Sequence, residues 1–404
     1  MSAAFTCPSS IRPTSNIFPA NEVFSSISIG TPPQPVFVQL DTGSFELWVN
    51  PDCAQVSGPD VTFCEQAGQY DTTKSSTATS LGTTRTLKYG IGSANISYFK
   101  DTIALASSPT ALKEVQFGVA TASDDAFSGI LGIGYGQGIA TKYPNFIDHL
   151  KEQNVTRVKA YTLALGSKDA QEGVIVFGGV DTSKFAGKLA KLPVIPAEET
   201  PDRVPRFWVD MQSVSLTPPS GVNRVYPNSG QPVFLDSGST MTLLPEKLSQ
   251  AIASDFGASE LDVNGFYRID CSLTTIKGTL DFAFDGMTIK VPYKELIREV
   301  ASNPPACFLG IMPSDRFTLL GDTFMRSAYN IPFATNLWER LKPERCIRCQ
   351  KAVCTGCVLL GDDDDNDDEE EEEEEEKEEE EEKEEEELID ADGVRVLSLW
   401  DWGV

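Results

Sequence analysis

The same ordered set of landmarks occurs twice in this chain, and that constrains its fold more than anything else. Gln34–Phe37 reads QPVF, and so does Gln231–Phe234. Each copy runs through apolar residues into D-[TS]-G-S, at Asp41–Ser44 and at Asp236–Ser239. Each is followed by two apolar residues and a glycine, Ile130-Leu131-Gly132 and Leu319-Leu320-Gly321, lying 91 and 85 residues beyond the respective aspartate. Order and spacing repeated in this way imply two related units. The stretch 23–335 is dense in short Val/Ile/Phe/Tyr/Thr runs such as VFVQL, ISYFKDTIAL, GVIVFGG and PVFL, punctuated by Gly, Pro, Asn and Ser, so both units are expected to be all-β. Few segments have helical periodicity, the best being 144–153, 245–256 and 293–301.

Each aspartate follows a β run and stands where a strand must turn. Gly43 and Gly238 permit the turn and a close backbone approach. Ser44 and Ser239 are expected to donate to the outer carboxylate oxygens. A lone Asp-Thr-Gly is ordinary turn chemistry. Two copies in matched halves would face each other across a two-fold relation, with the carboxyls about 3 Å apart. At that distance both cannot ionise cheaply, so they share a proton and titrate as a unit. The ionised member can then take a proton from water while the other donates to a carbonyl oxygen. This chemistry needs no metal and no cofactor.

These segments resemble the pepsin family of aspartic proteases, most closely the fungal secreted and yapsin-like members. FSSISIGTPPQPVFVQLDTGSFELWV resembles the family's first active-site region, VFLDSGSTMTLLP the second, and KYGIGSANI its mobile hairpin, the flap. GILGIGYG and TLLGDTFMRSAY resemble the apolar elements behind the aspartates, and GVIVFGGVDTSKFAGKL the close of the first lobe. The similarity covers roughly residues 22–330. It implies a bilobal pepsin-like acid protease fold with an active-site cleft between the lobes, and an aspartic endopeptidase using Asp41 and Asp236 at acid pH. By the same resemblance Tyr89 is the flap tyrosine, with Gly90 and Gly92 giving the hairpin mobility. Trp48 would donate its indole N–H to Tyr89. Thr42 and Ser237 would tie the two loops together, and Phe127 and Ile130 would line an apolar subsite. Phe45 stands where the family commonly has Ser, which implies altered packing. Cys53–Cys64 and Cys271–Cys307 match the family's disulfides and would imply an oxidising compartment. Asn95-Ile96-Ser97 and Asn154-Val155-Thr156 are glycosylation sequons in keeping with it. A secreted, cell-surface or vacuolar monomer acting on polypeptides is therefore expected, although MSAAFTCPSS lacks the basic and apolar regions of a signal peptide.

Composition removes other classes. The net charge of −27 is dominated by residues 362–387, which carry −21 and leave −6 for everything else. No basic surface is visible for nucleic acid. No apolar run is long enough to span a membrane. The single histidine, His149, reads as a solvent-facing residue on a short surface helix, which leaves little room for histidine-based nucleophilic catalysis. Cys346, Cys349, Cys354 and Cys357 form CxxC-x4-CxxC, too closely spaced for an ordinary zinc ribbon, and Cys7 is left over. The expected division is a first lobe over 1–190, a second over 191–335, and a Cys-containing acidic tail over 336–404. Resemblance is expected to end within a few residues of Tyr329. No good strand candidate follows, so an open sheet edge and reduced stability are expected. The alternative to the enzyme is a catalytically impaired binding protein on the same fold; intact Asp41, Asp236 and Tyr89 argue against it. A third reading makes the tail a binder of basic proteins in a cytosolic or nuclear chain, and the state of the cysteines discriminates.

Overall fold

Strand alternation sets the architecture from the first described element. The computed structural model describes residues 23–332 and 356–361, except 55–59, 106–109, 125–127, 171–172, 187–188, 301 and 303. The first lobe contains β1 (Phe24–Ile29), β2 (Gln34–Asp41), β3 (Leu47–Val49), β4 (Thr79–Lys88), β5 (Ser93–Leu105), β6 (Ala111–Asp124) and β7 (Gly129–Gly132). They form one sheet in the order β1-β2-β7-β3-β6-β5-β4. In β2, Val36, Val38 and Leu40 point inward and Phe37 and Gln39 outward, the period of two that a half-buried strand requires. Val38, Leu40, Ile27 and Phe117 are fully buried, and each such side chain contributes about 1.5–3 kcal/mol of transfer free energy.

Three further strands, β8 (Tyr161–Ala164), β9 (Val174–Phe177) and β10 (Ala190–Pro193), leave the first lobe. The second lobe is built from β11 (Trp208–Met211), β12 (Ser213–Thr217), β13 (Arg224–Val225), β14 (Gln231–Leu235), β15 (Thr242–Leu244), β16 (Arg268–Ile269), β17 (Thr279–Phe284), β18 (Met287–Pro292), β19 (Ile297–Val300), β20 (Ala306–Leu309), β21 (Ile311–Pro313) and β22 (Leu319–Leu320). Its central sheet runs β11-β14-β22-β15-β21. The repeat is therefore structural. β2-β7-β3 in one lobe and β14-β22-β15 in the other have the same order and the same mixture of parallel and antiparallel pairing. Asp41 pairs with Gly132, and Leu235, one residue before Asp236, pairs with Leu320.

The chain then returns as β23 (Ala328–Pro332), followed by β24 (Gly356–Gly361). With β8, β9 and β10 these make a sheet in the order β10-β24-β23-β8-β9. β24 corrects the expectation that no strand follows Tyr329. Its register matches Ala328 to Gly356 on one side and Ala190 to Val358 on the other. The segment GCVLLG is a short apolar run bounded by glycines, which is itself a strand signal. Its place within a cysteine-rich stretch masked that reading. Cys7, Cys346, Cys349, Cys354 and the acidic run lie outside the described residues.

Helices are few: α1 (Asp60–Ala67), α2 (Phe146–Glu152), α3 (Glu246–Asp255), α4 (Tyr293–Leu296) and α5 (Asp322–Met325), besides short 3-10 turns. The helix expected over 293–301 stops at Leu296. Ile297 is buried and pairs with Leu309, so strand pairing overrides the helical period there. His149 is not solvent-facing: it is 9% exposed on α2, and burial pulls its pKa down. The capping box of Asn145 and Asp148 draws this helix into the lobe, where Phe146, Ile147 and Leu150 are also buried. Among the described residues, no helix is long and apolar enough to cross a membrane.

Candidate active site

The C-terminal ends of β2 and β14 bring the two D-[TS]-G-S loops together at the lobe junction. Their contacts are crossed. Thr42 Oγ1 donates to the Leu235 carbonyl at 2.9 Å, and Ser237 Oγ donates to the Leu40 carbonyl at 2.7 Å. The backbone N–H of Thr42 donates to Ser237 Oγ at 3.2 Å, and that of Ser237 to Thr42 Oγ1 at 2.9 Å. Four bonds thus tie residues almost 200 positions apart in a buried setting where each is strong.

Within each loop the aspartate accepts from the glycine two residues on: Gly43 N–H to Asp41 Oδ1 at 2.8 Å, and Gly238 N–H to Asp236 Oδ1 at 3.0 Å. The glycines are required by proximity. A Cβ on Gly43 would come 2.6 Å from Asp236 Oδ1, and one on Gly238 would come 2.5 Å from Asp41 Oδ1. Each glycine is the gap into which the other lobe's carboxyl fits. Each carboxyl thus stands against the loop that carries the other, close enough for the Asp41 charge to act on Asp236. Asp236 is held well above the usual carboxylate range. Burial contributes most, followed by the Asp41 charge and the hydrogen bond to Asp41. The Gly238 N–H and the Arg206 charge act in the opposite direction.

The serines behave otherwise than expected. Ser239 Oγ donates to the Met241 carbonyl at 3.0 Å, and Ser44 Oγ is buried with no hydrogen-bond partner among the described residues. Neither hydroxyl is bonded to a carboxylate.

Trp48 Nε1 donates to Tyr89 Oη at 2.7 Å. Tyr89 closes the β4–β5 hairpin, its N–H donating to the Gly92 carbonyl at 3.1 Å, and Gly92 takes the positive φ of 79° that the turn demands. Gly90 stands in open space and Ile91 at the tip is 79% exposed. Burial first, then the Asp41 charge, raises the Tyr89 pKa, so the phenol stays neutral. Tyr89 packs against a small apolar cluster of Trp48, Leu87, Ala94, Ile96, Tyr98, Ala120 and Ile130. Ile130 is thus beside the flap, whereas Phe127 lies outside the described residues. Phe45 packs over Gly134, whose absent Cβ would meet the ring at 2.8 Å.

Three residues near the dyad escaped sequence reading. Glu46 is buried and accepts from Arg85, from Tyr98 Oη and from Tyr143 Oη at 2.6 Å, linking the first loop to the flap strands. Gln39 and Arg206 touch the glycine carbonyls of the opposite loops. A charged residue inside the apolar run FELWV was the available signal for Glu46. Nothing local marks the other two, whose partners are remote in sequence.

The two disulfides are Cys53–Cys64 and Cys271–Cys307, with Cα–Cα separations of 5.9 and 5.2 Å. Asn95 and Asn154 are both exposed.

Two β lobes presenting one aspartate loop each to a shared junction define the acid-protease class of fold. The chain belongs to the eukaryotic aspartyl protease family, whose model matches residues 22–336. It is 36% identical over 319 residues to Candidapepsin-3 of Candida albicans, covering 76% of this chain and 75% of that one. It is 33% identical over 324 residues to the probable aspartic-type endopeptidase opsB of Aspergillus oryzae, covering 76% of this chain and 65% of the relative. Its fold superposes on the crystal structure of the aspartic proteinase from Irpex lacteus with a TM-score of 0.61 at 19% identity, covering 78% of this chain and 91% of the other.

Proposed function

We propose that the chain is an aspartic endopeptidase in which Asp41 and Asp236 activate a water for attack on the peptide carbonyl. The observation that supports this most is the carboxyl pair seated in the two reciprocal glycine gaps, where burial favours the protonated form of Asp236. The ionised carboxyl takes the proton of the attacking water. The protonated one donates to the carbonyl oxygen, stabilising the tetrahedral intermediate, and no covalent enzyme adduct forms. Tyr89, held by Trp48, lies over the site on the exposed hairpin and shields the reacting bond from bulk water. An extended peptide is the fitting substrate, its backbone adding alongside the flap strands, with Ile130 offering an apolar contact to a substrate side chain.

The enzyme acts at acid pH as a monomer with no metal or cofactor. Relatives named as secreted aspartic proteases, together with two disulfides, support a secreted or cell-surface location. The lobes are taken as 1–190 and 191–335.

The test is hydrolysis of a fluorogenic peptide at acid and neutral pH, with and without a pepstatin-type inhibitor. Inhibited cleavage at acid pH is expected. Inhibitor-resistant cleavage that strengthens above neutral pH would point to another mechanism.

A further inference from the structure

The two catalytic loops are gripped from outside their motifs, and the two grips are unequal. Gln39 Nε2 donates to the Gly238 carbonyl at 3.1 Å, and Arg206 Nε donates to the Gly43 carbonyl at 2.9 Å. Each contact runs from one lobe to the other lobe's loop and ends on the glycine that makes room for the opposing carboxyl. The repeat shows why two residue types are used. Gln39 stands two residues before Asp41 and pairs with Ile130, two before Gly132. The equivalent place in the second lobe is Phe234, two before Asp236, paired with Leu319. A phenyl ring cannot donate a hydrogen bond to a carbonyl. Arg206 instead lies over the Phe234 ring at 4.9 Å and near the Phe45 ring at 5.9 Å, and reaches the Gly43 carbonyl from there. Asp202 pairs with its guanidinium and helps to orient it. Phe45 and Phe234 are thus the rings bounding this cation.

We propose that Gln39 and Arg206 are positioning residues of the peptidase site: each holds the opposite loop's glycine carbonyl, and Arg206 alone adds a charge, making the two halves of the dyad electrically unequal. The inference rests on the reading of Asp41 and Asp236 as the dyad. A neutral amide on one side and a partly buried guanidinium on the other break the two-fold relation that the loops themselves keep. The Arg206 charge favours loss of the shared proton, against burial and the Asp41 charge. Among the described residues, the other titratable groups around the pair are Tyr89 and Tyr161, whose pKa values are both raised, and Asp202, which is paired with Arg206.

The experiment compares wild type, Arg206→Gln, Arg206→Lys and Gln39→Leu for kcat, KM and the pH dependence of kcat/KM. Asp236→Asn is the inactive reference, and active sites are counted with a tight-binding pepstatin-type inhibitor. Arg206→Gln should lose about tenfold to a hundredfold in kcat per titrated site with KM nearly unchanged, as expected for misplaced catalytic groups. Its pH profile should move to higher pH by up to about one unit, because the shared proton is held more firmly once the cation is gone. Arg206→Lys keeps the charge and loses the stacked donor, so kcat should fall with the profile in place. Gln39→Leu should do the same. Wild-type kcat and an unmoved profile in Arg206→Gln would overturn the proposal. Should that variant give no titratable sites, wild-type kcat in both Arg206→Lys and Gln39→Leu would overturn it instead. Wild type no more active than Asp236→Asn would sink the dyad reading itself, a different failure.

Discussion

Asp236 carries the residue-scale argument, because its environment favours the protonated form. A carboxyl whose proton affinity is raised on folding is tolerated at low pH, and it costs stability as pH rises towards its raised value, where the unfolded chain has already released the proton. Asp236→Asn removes that cost while retaining the shape. It should therefore lose at least about a hundredfold in kcat, the lower range for losing a general acid or base, and should melt higher than wild type at neutral pH. Differential scanning calorimetry at pH 4 and pH 7 separates the effects: the gain should be larger at pH 7. A variant that melts lower at both values would contradict the proton-sharing account. Asp41→Asn should be equally inactive. At Tyr89, replacement by Phe should lower kcat/KM by less than replacement by Ala, which should lose about tenfold or more and also some Tm, because Trp48 Nε1 loses its acceptor; the hairpin turn itself is made by backbone and by Gly92. Unchanged kinetics would leave Tyr89 as packing only.

Among the elements, β24 is the one with the greatest consequence. It stands between β10 and β23, and without it both present unpaired edges. A chain ending after Pro332 is expected to lose solubility and thermal stability even though every dyad residue is retained. Sedimentation and melting of the shortened chain against the full one provide the check, and equal Tm and monomer content would show β24 to be dispensable. The two disulfides close loops with separations of 11 and 36 residues. Removing either by Cys→Ser should cost about 2–4 kcal/mol, measured by denaturant midpoint under non-reducing conditions. Because neither bridge lies at the dyad, kcat per folded site should be nearly unchanged.

For the whole molecule, pH acts in two directions. Asp101 is buried, which raises its pKa, yet hydrogen bonds from Ser75, Thr77, Tyr70 and the Thr102 N–H outweigh this and hold it below the usual 3.8. Asp255 is lowered too, burial being outweighed by hydrogen bonds from Arg224 and Tyr226 and by the Arg224 charge. Lowered carboxylates contribute stability that is present above their unfolded value and lost as pH falls through the folded one. The protein should therefore lose stability on the acid side below the usual carboxylate value, and on the neutral side as the dyad is forced to ionise. Melting temperature measured across pH 2–8 should show a maximum in the mildly acidic range, and a steady rise through neutral pH would contradict this balance.

The sequence by itself indicated a β-rich chain with two matched halves and an aspartate loop in each, because these rest on a local motif and its repetition; the flap and the disulfide pairs came from the resemblance to the aspartic-protease family. Gly43 and Gly238 were legible as special positions, but their reason was not. They serve a close approach between loops almost 200 residues apart, which no local pattern encodes. Separations of 39 to 199 residues likewise hid the contacts of Gln39, Arg206 and Glu46. The serine hydroxyls were misleading too, since the direction of a side chain after a turn depends on what packs around it. Strand pairing converted the end of the 293–301 helix into β19, burial turned His149 inward, and pairing with β10 and β23 gave VLL a place between two strands. Local chemistry put an aspartate and a glycine into each loop; only the packing of one lobe against the other decided which groups hold them and what burial does to Asp236.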